Sequence, residues 1–180
     1  TALIPPGIQY TYNVSIAYAL TTISQNLRIP SNHICLLSEL SVISGKSSES
    51  LAKELSKQIK ANFVKSEIKV FPDGESKITL VGKISKKKSI VVQSIDPPVD
   101  TNLVQALSLI TKAKENSSEV IAVIPYMGYA RQDREFLPGE IVTMKVLGKL
   151  FKGAGASKII AVDIHSLIGL KYFNIKTKNV

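Results

Sequence analysis

The sequence predicts an α/β domain with a mainly parallel sheet flanked by helices, and three observations carry that prediction. From residue 40 onward, short β-branched runs alternate with longer segments of helical period. The chain has 180 residues, which fits one domain at the usual ~100 to 200 residues each. Its 44% hydrophobic and 21% charged residues are ordinary for a globular protein able to enclose a core.

Each element has its own signal. LSVIS (40–44) reads as a buried strand, and SSESLAKELSKQIKAN (47–62) as an amphipathic helix with Leu51, Leu55 and Ile59 on one face and a serine cap before it. SEIKVF (66–71) and SKITLVG (76–82) alternate apolar and polar residues around PDGE, as two half-buried strands joined by a turn would. SIVVQS (89–94) is a buried strand that ends in DPPVD, whose prolines stop it and open the helix TNLVQALSLITKAKEN (101–116). EVIAVIP (119–125) is a strand, GEIVTMKVLGKLFKGAG (139–155) a helix ending in glycines, and KIIAVDI (158–164) a further strand. Residues 1–39 break the pattern: they carry little charge, and VSIAYALTTIS fits a short helix or a strand equally. The expected division is an N-terminal extension of unsettled status at 1–39 and one domain at 40–180.

A net charge of +9 favours anionic partners without choosing among nucleic acid, acidic membrane surfaces and phosphorylated small molecules. Many lysines fall in KISKKKS (83–89) and IKTKN (175–179), which read as solvated loop or strand-end residues. No aromatic residues interleave with them, so the single-strand binding signature is missing, and neither nucleic acid nor a membrane is expected as partner. The lone Cys35 excludes an intrachain disulfide and fits a reducing compartment. No apolar run approaches the ~18 to 20 residues of a membrane span, and TALIPPGIQYTYN lacks the charged start of a signal peptide, so a cytoplasmic location is expected.

Three polar clusters follow predicted strands, where ligands of open α/β sheets bind. FPDGE (71–75) is ordinary turn chemistry; equally, Phe71 offers a stacking face, and Asp73 and Glu75 accept from an amine or a ribose hydroxyl. YARQDRE (129–135) places Arg131 and Arg134 three apart, suited to phosphate as rigid forks of donors, or forms a surface ion-pair cluster with Asp133 and Glu135. In DIHS (163–166), alternation along the strand would turn Asp163 and His165 to one face for a metal or phosphate; alternatively the histidine is structural. Both standard glycine-rich phosphate loops are absent, and one cysteine, two histidines and no G-x-S-x-G leave zinc and nucleophilic-hydrolase chemistry without residues.

The ordered set FPDGE, VVQSIDPPVDTNLVQALSLI, VIPYMGYARQDRE, DIHS and GLKYFNI resembles the N-terminal half of ribose-phosphate pyrophosphokinase over residues 40–180. That resemblance implies a phosphoribosyltransferase-like N-terminal domain of a magnesium-dependent transferase in nucleotide biosynthesis. The family moves the diphosphoryl group of ATP to ribose 5-phosphate, releases AMP and assembles into homo-oligomers. It implies ATP binding by Phe71, Asp73, Gly74 and Glu75, often across a subunit boundary, and by Arg131 and Gln132, with Asp133 and Arg134 shaping the loop. His165 would help place magnesium and the ATP phosphates. No catalytic residue is expected in this chain, because the family's ribose-5-phosphate and flexible catalytic loops belong to its C-terminal half. Glu135 and Phe136 depart from the basic and polar residues common there. A non-catalytic associated subunit of such a synthetase would keep the same core, and a nucleic-acid module would rest on charge alone.

Overall fold

A computed structural model describes residues 39–180, together with Thr21 and Gln25. Cys35 and nearly all of the expected 1–39 extension fall outside the described residues.

The β-branched runs become β1 (Leu40–Ser44), β2 (Asn62–Val70), β3 (Ser76–Val81), β4 (Lys88–Val92), β5 (Glu119–Ile124) and β6 (Lys158–Ala161), with β7 (Lys176–Asn179) added at the edge. They form one seven-stranded sheet in the order β3-β2-β1-β4-β5-β6-β7. Only the β2–β3 pairing is antiparallel. The period of two assigns each strand's side chains to opposite faces. Val42, Ile90, Val92, Ile121, Val123 and Ile160 lie in one apolar cluster, where Leu51, Ala52 and Leu55 of α1 (Glu49–Gln58) join them. Ile43, Val91, Ala122, Ile124, Ile159 and Ala161 lie in the other, against α2 (Val99–Asn116) and α3 (Thr143–Gly153). Full burial of one side chain such as Leu55 of α1 stabilises the fold by about 1.5–3 kcal/mol, in addition to the backbone ladder that pairs the central strands.

Three expectations change. The serine before α1 does not cap it: Ser48 Oγ accepts from the Ser94 N–H at 2.8 Å, and Ser47 Oγ donates to the Ser94 carbonyl at 3.0 Å. A tertiary bond to the end of β4 outcompetes the local cap. IKTKN, read as solvated loop or strand-end residues, is a full edge strand, since Lys176–Asn179 pair in parallel with Lys158–Ala161. The third helix begins at Thr143 rather than residue 139, because the Glu140 carboxylate accepts the Phe136 and Leu137 N–H groups and holds the preceding residues in a turn. Among the described residues no helix is long and apolar enough to cross a membrane.

Candidate nucleotide site

β5 and β6 are paired neighbours with Ile124 opposite Ala161, so their carboxyl-end loops emerge side by side. Between those loops lies an open cleft of about 610 Å³. Tyr126, Tyr129, Arg131 and Gln132 line it from the β5 side, and Asp163 and His165 from the β6 side. Two of the three predicted clusters therefore share one site.

The β5 loop is held by its backbone. Tyr126 O accepts from Ile95 N at 2.9 Å, Tyr129 O from Gln132 N at 2.8 Å, and Gln132 O from Met144 N at the start of α3 at 3.2 Å. Tyr129 takes φ +63°, a conformation few tyrosines adopt, and its hydroxyl donates to Asp100 Oδ1 in the first turn of α2. That bond, then burial, then the Asp100 charge raise the Tyr129 phenol above its ordinary 10.0.

Arg131 and Arg134 behave differently. Among the described residues neither forms an ion pair, so the surface-cluster alternative fails. Asp133 instead accepts from Ser166, and Glu135 accepts the Gly139 N–H at 2.6 Å. The Arg134 guanidinium lies 4.8 Å from the centre of the Phe136 ring and is absent from the cleft lining. Arg131 is exposed and lines the cleft, a permanent cation with donors to spare.

The DIHS segment reaches the cleft by another route than alternation. β6 ends at Ala161, and Asp163 sits at φ +42°. Its N–H donates to Val180 O at 2.9 Å, and the Ile164 N–H to Asn179 Oδ1 at 3.0 Å, so the neighbouring β7 end sets the turn. Asp163 and His165 are both exposed and both face the cleft. Among the described residues no group of three or more His, Cys, Asp or Glu side chains is placed to hold a metal ion. One carboxylate on the wall of an open cleft nevertheless fits magnesium, which takes one or two protein carboxylates and fills the rest of its shell with water and substrate phosphates. The residues of DIHS point to Asp163 and His165 together, whereas the family resemblance assigns the metal to His165 alone.

Phe71, Asp73, Gly74 and Glu75 lie elsewhere. They form the exposed tip of the β2–β3 hairpin, closed by Phe71 N to Glu75 O at 2.8 Å, Gly74 N to Phe71 O at 2.9 Å and Glu75 N to Asp73 Oδ1 at 3.0 Å. β2 pairs with β1 only through Val64, so six further residues, roughly 20 Å of strand, carry the tip onward with β3 alone. β2 and β5 are three strand positions apart, roughly 14 Å, and none of these four residues lines the cleft. A larger hollow of about 850 Å³ between β3 and α2, lined by Ile78, Leu80, Lys83 and Lys112 among others, is lined by none of the predicted ATP-binding or metal residues.

Residues 40–155 match the family model described as the N-terminal domain of ribose phosphate pyrophosphokinase. The ribose-phosphate pyrophosphokinase of Methanobrevibacter smithii is 37% identical over 140 residues, 77% of this chain and 47% of the relative. That of Methanopyrus kandleri is 39% identical over 131 residues, 72% of this chain and 44% of the relative. The crystal structure of phosphoribosylpyrophosphate synthetase from Mycobacterium smegmatis superposes with a TM-score of 0.73 at 24% identity, covering 79% of this chain and 48% of that one, and shows the same fold. The chain spans about half the length of the curated relatives it matches. With its parallel sheet and its motifs in place, the chain belongs to the ribose-phosphate pyrophosphokinase family and carries that family's N-terminal domain.

Proposed function

We propose that this chain supplies the ATP-binding part of a ribose-phosphate diphosphokinase, which converts ATP and ribose 5-phosphate to phosphoribosyl pyrophosphate and AMP. The observation that carries the reading is the β5–β6 cleft, where Arg131, free of ion pairs among the described residues, faces Asp163 and His165 in a member of this family. Diphosphoryl transfer asks for alignment and charge neutralisation more than for a protein nucleophile. The ribose anomeric hydroxyl releases its proton to solvent as its oxygen bonds to the β-phosphorus, the bond from that phosphorus to the α-phosphate bridging oxygen breaks, and AMP leaves.

Within the cleft, Arg131 binds phosphate oxygens through its fork of donors, and the Gln132 amide orients the nucleotide. Asp163 would supply an oxygen ligand to magnesium, and His165 beside it would help place the magnesium-bound end of ATP. Magnesium, when bound with ATP, neutralises phosphate charge. Phe71, Asp73, Gly74 and Glu75 contact the adenosine part of ATP held by a second copy of the chain, a reading supported by their place at the exposed tip of a ribbon that extends beyond β1 and contributes nothing to its own cleft. The ribose 5-phosphate site and the catalytic loop belong to the part of the family beyond the matched half.

The test is AMP formation from ATP and ribose 5-phosphate by the full-length gene product. Ribose-dependent release of AMP is expected, and a folded protein that binds MgATP without such release would instead identify a non-catalytic associated subunit.

A further inference from the structure

Gln132 and His165 lie on different loops, and the residues directly after them are bonded to each other. Ser166 Oγ donates to Asp133 Oδ2, and Tyr172 OH donates to the Asp133 carbonyl at 3.0 Å. Asp133 is 8% exposed, while Arg131, Gln132 and Arg134 around it are exposed. Among the described residues no ion pair involves this carboxylate, so its hydrogen bonds must offset its burial. A hydroxyl donating to a carboxylate is among the stronger bonds available for that purpose. The approach is close: a Cβ at Gly169 in α4 (Leu167–Leu170) would lie 2.9 Å from Met144 Cε and 3.6 Å from Asp133 Cβ.

We propose that the Ser166–Asp133 bond, backed by Tyr172, is a positioning clasp that sets the Arg131–Gln132 segment in register with the Asp163–His165 segment. Ser166 and Tyr172 act through Asp133 and touch neither nucleotide nor metal. One side of the cleft meets the nucleotide and the other meets its magnesium end, so the distance between the two loops decides whether both are engaged by the same MgATP. A ligand without magnesium relies on the β5 side alone and is indifferent to that distance. The inference rests on the nucleotide reading of the cleft.

Isothermal titration of MgATP, and separately of magnesium-free ADP, into the full chain tests it with wild type, Ser166→Ala and Ser166→Thr. Ser166→Ala should weaken MgATP about tenfold while leaving magnesium-free ADP within about twofold, and Ser166→Thr, which keeps the hydroxyl, should restore MgATP binding. A merely structural role would weaken both ligands together and would overturn the clasp, as would an unchanged MgATP affinity in Ser166→Ala. If wild type binds neither ligand, the nucleotide reading itself fails, and the clasp fails with it.

Discussion

Gly148 and Gly153 stand on the same helix, and replacing each by alanine should have opposite consequences. A Cβ at Gly148 would lie 2.4 Å from Tyr172 O, 2.6 Å from Tyr172 C and 2.9 Å from Phe173 Cα. Ordinary contact begins near 3.4 Å, so α3 and the Tyr172 turn must part by about 1 Å, and the obstruction is backbone rather than a side chain that can swing away. Phe173 is fully buried and its ring packs 5.7 Å from that of Phe151, which resists the shift. Overpacking of this kind costs about 3 kcal/mol, and the better helix propensity of alanine returns about 1 kcal/mol. The net loss of about 2 kcal/mol lowers Tm by about 4–8 °C for a domain of this size. At Gly153 nothing lies within 4 Å of the added Cβ, so Gly153→Ala should leave Tm unchanged or raise it slightly. Thermal unfolding by circular dichroism measures both. A Gly148→Ala protein as stable as wild type, or a Gly153→Ala protein that falls as far, would refute the packing argument.

Other outcomes follow from single contacts. Arg131→Ala should weaken MgATP about 10- to 100-fold in a heat titration and Arg134→Ala less than about threefold, because only Arg131 lines the cleft; equal losses would contradict that division. Ser48→Ala leaves the Ser94 N–H without its acceptor and should cost about 1–3 kcal/mol in urea unfolding, whereas an unchanged midpoint would mean the bond to β4 contributes nothing. Tyr129 has its phenol raised by the bond to Asp100, so its contribution to stability is fully present below pH 10 and is lost as pH rises through the higher folded-state value. Ultraviolet phenolate titration should show Asp100→Asn bringing that tyrosine back towards its ordinary range; no change would remove Asp100 as the cause.

The central strands were legible because their apolar runs are dictated by burial on both faces, which Val42 and Ile43 or Ile121 and Ala122 satisfy in alternation. β7 was not, since Lys176-Thr177-Lys178-Asn179 is an edge strand paired on one side, and its lysines suit solvent as well in a strand as in a loop. Asp163 was expected at the cleft by strand alternation, and it arrives there through a left-handed turn that depends on Val180 and Asn179. No local pattern announces such a turn, because its donors and acceptors come from the next strand. The two clusters at the ends of β5 and β6 could each be read as motifs, whereas their adjacency follows from pairing Ile124 with Ala161. FPDGE was read as both turn and binding element; its turn chemistry is in place, and its contact with nucleotide belongs to the proposal of a second copy.

The account stands on the β5–β6 cleft as the place where ATP binds, and mapping backbone amide resonances of the isotopically labelled chain during titration with MgATP addresses that directly. The account predicts saturable shifts concentrated at Tyr129–Asp133 and Val162–Ser166. Shifts confined to the hollow between β3 and α2, around Lys83 and Lys112, or no shifts at all, would contradict it.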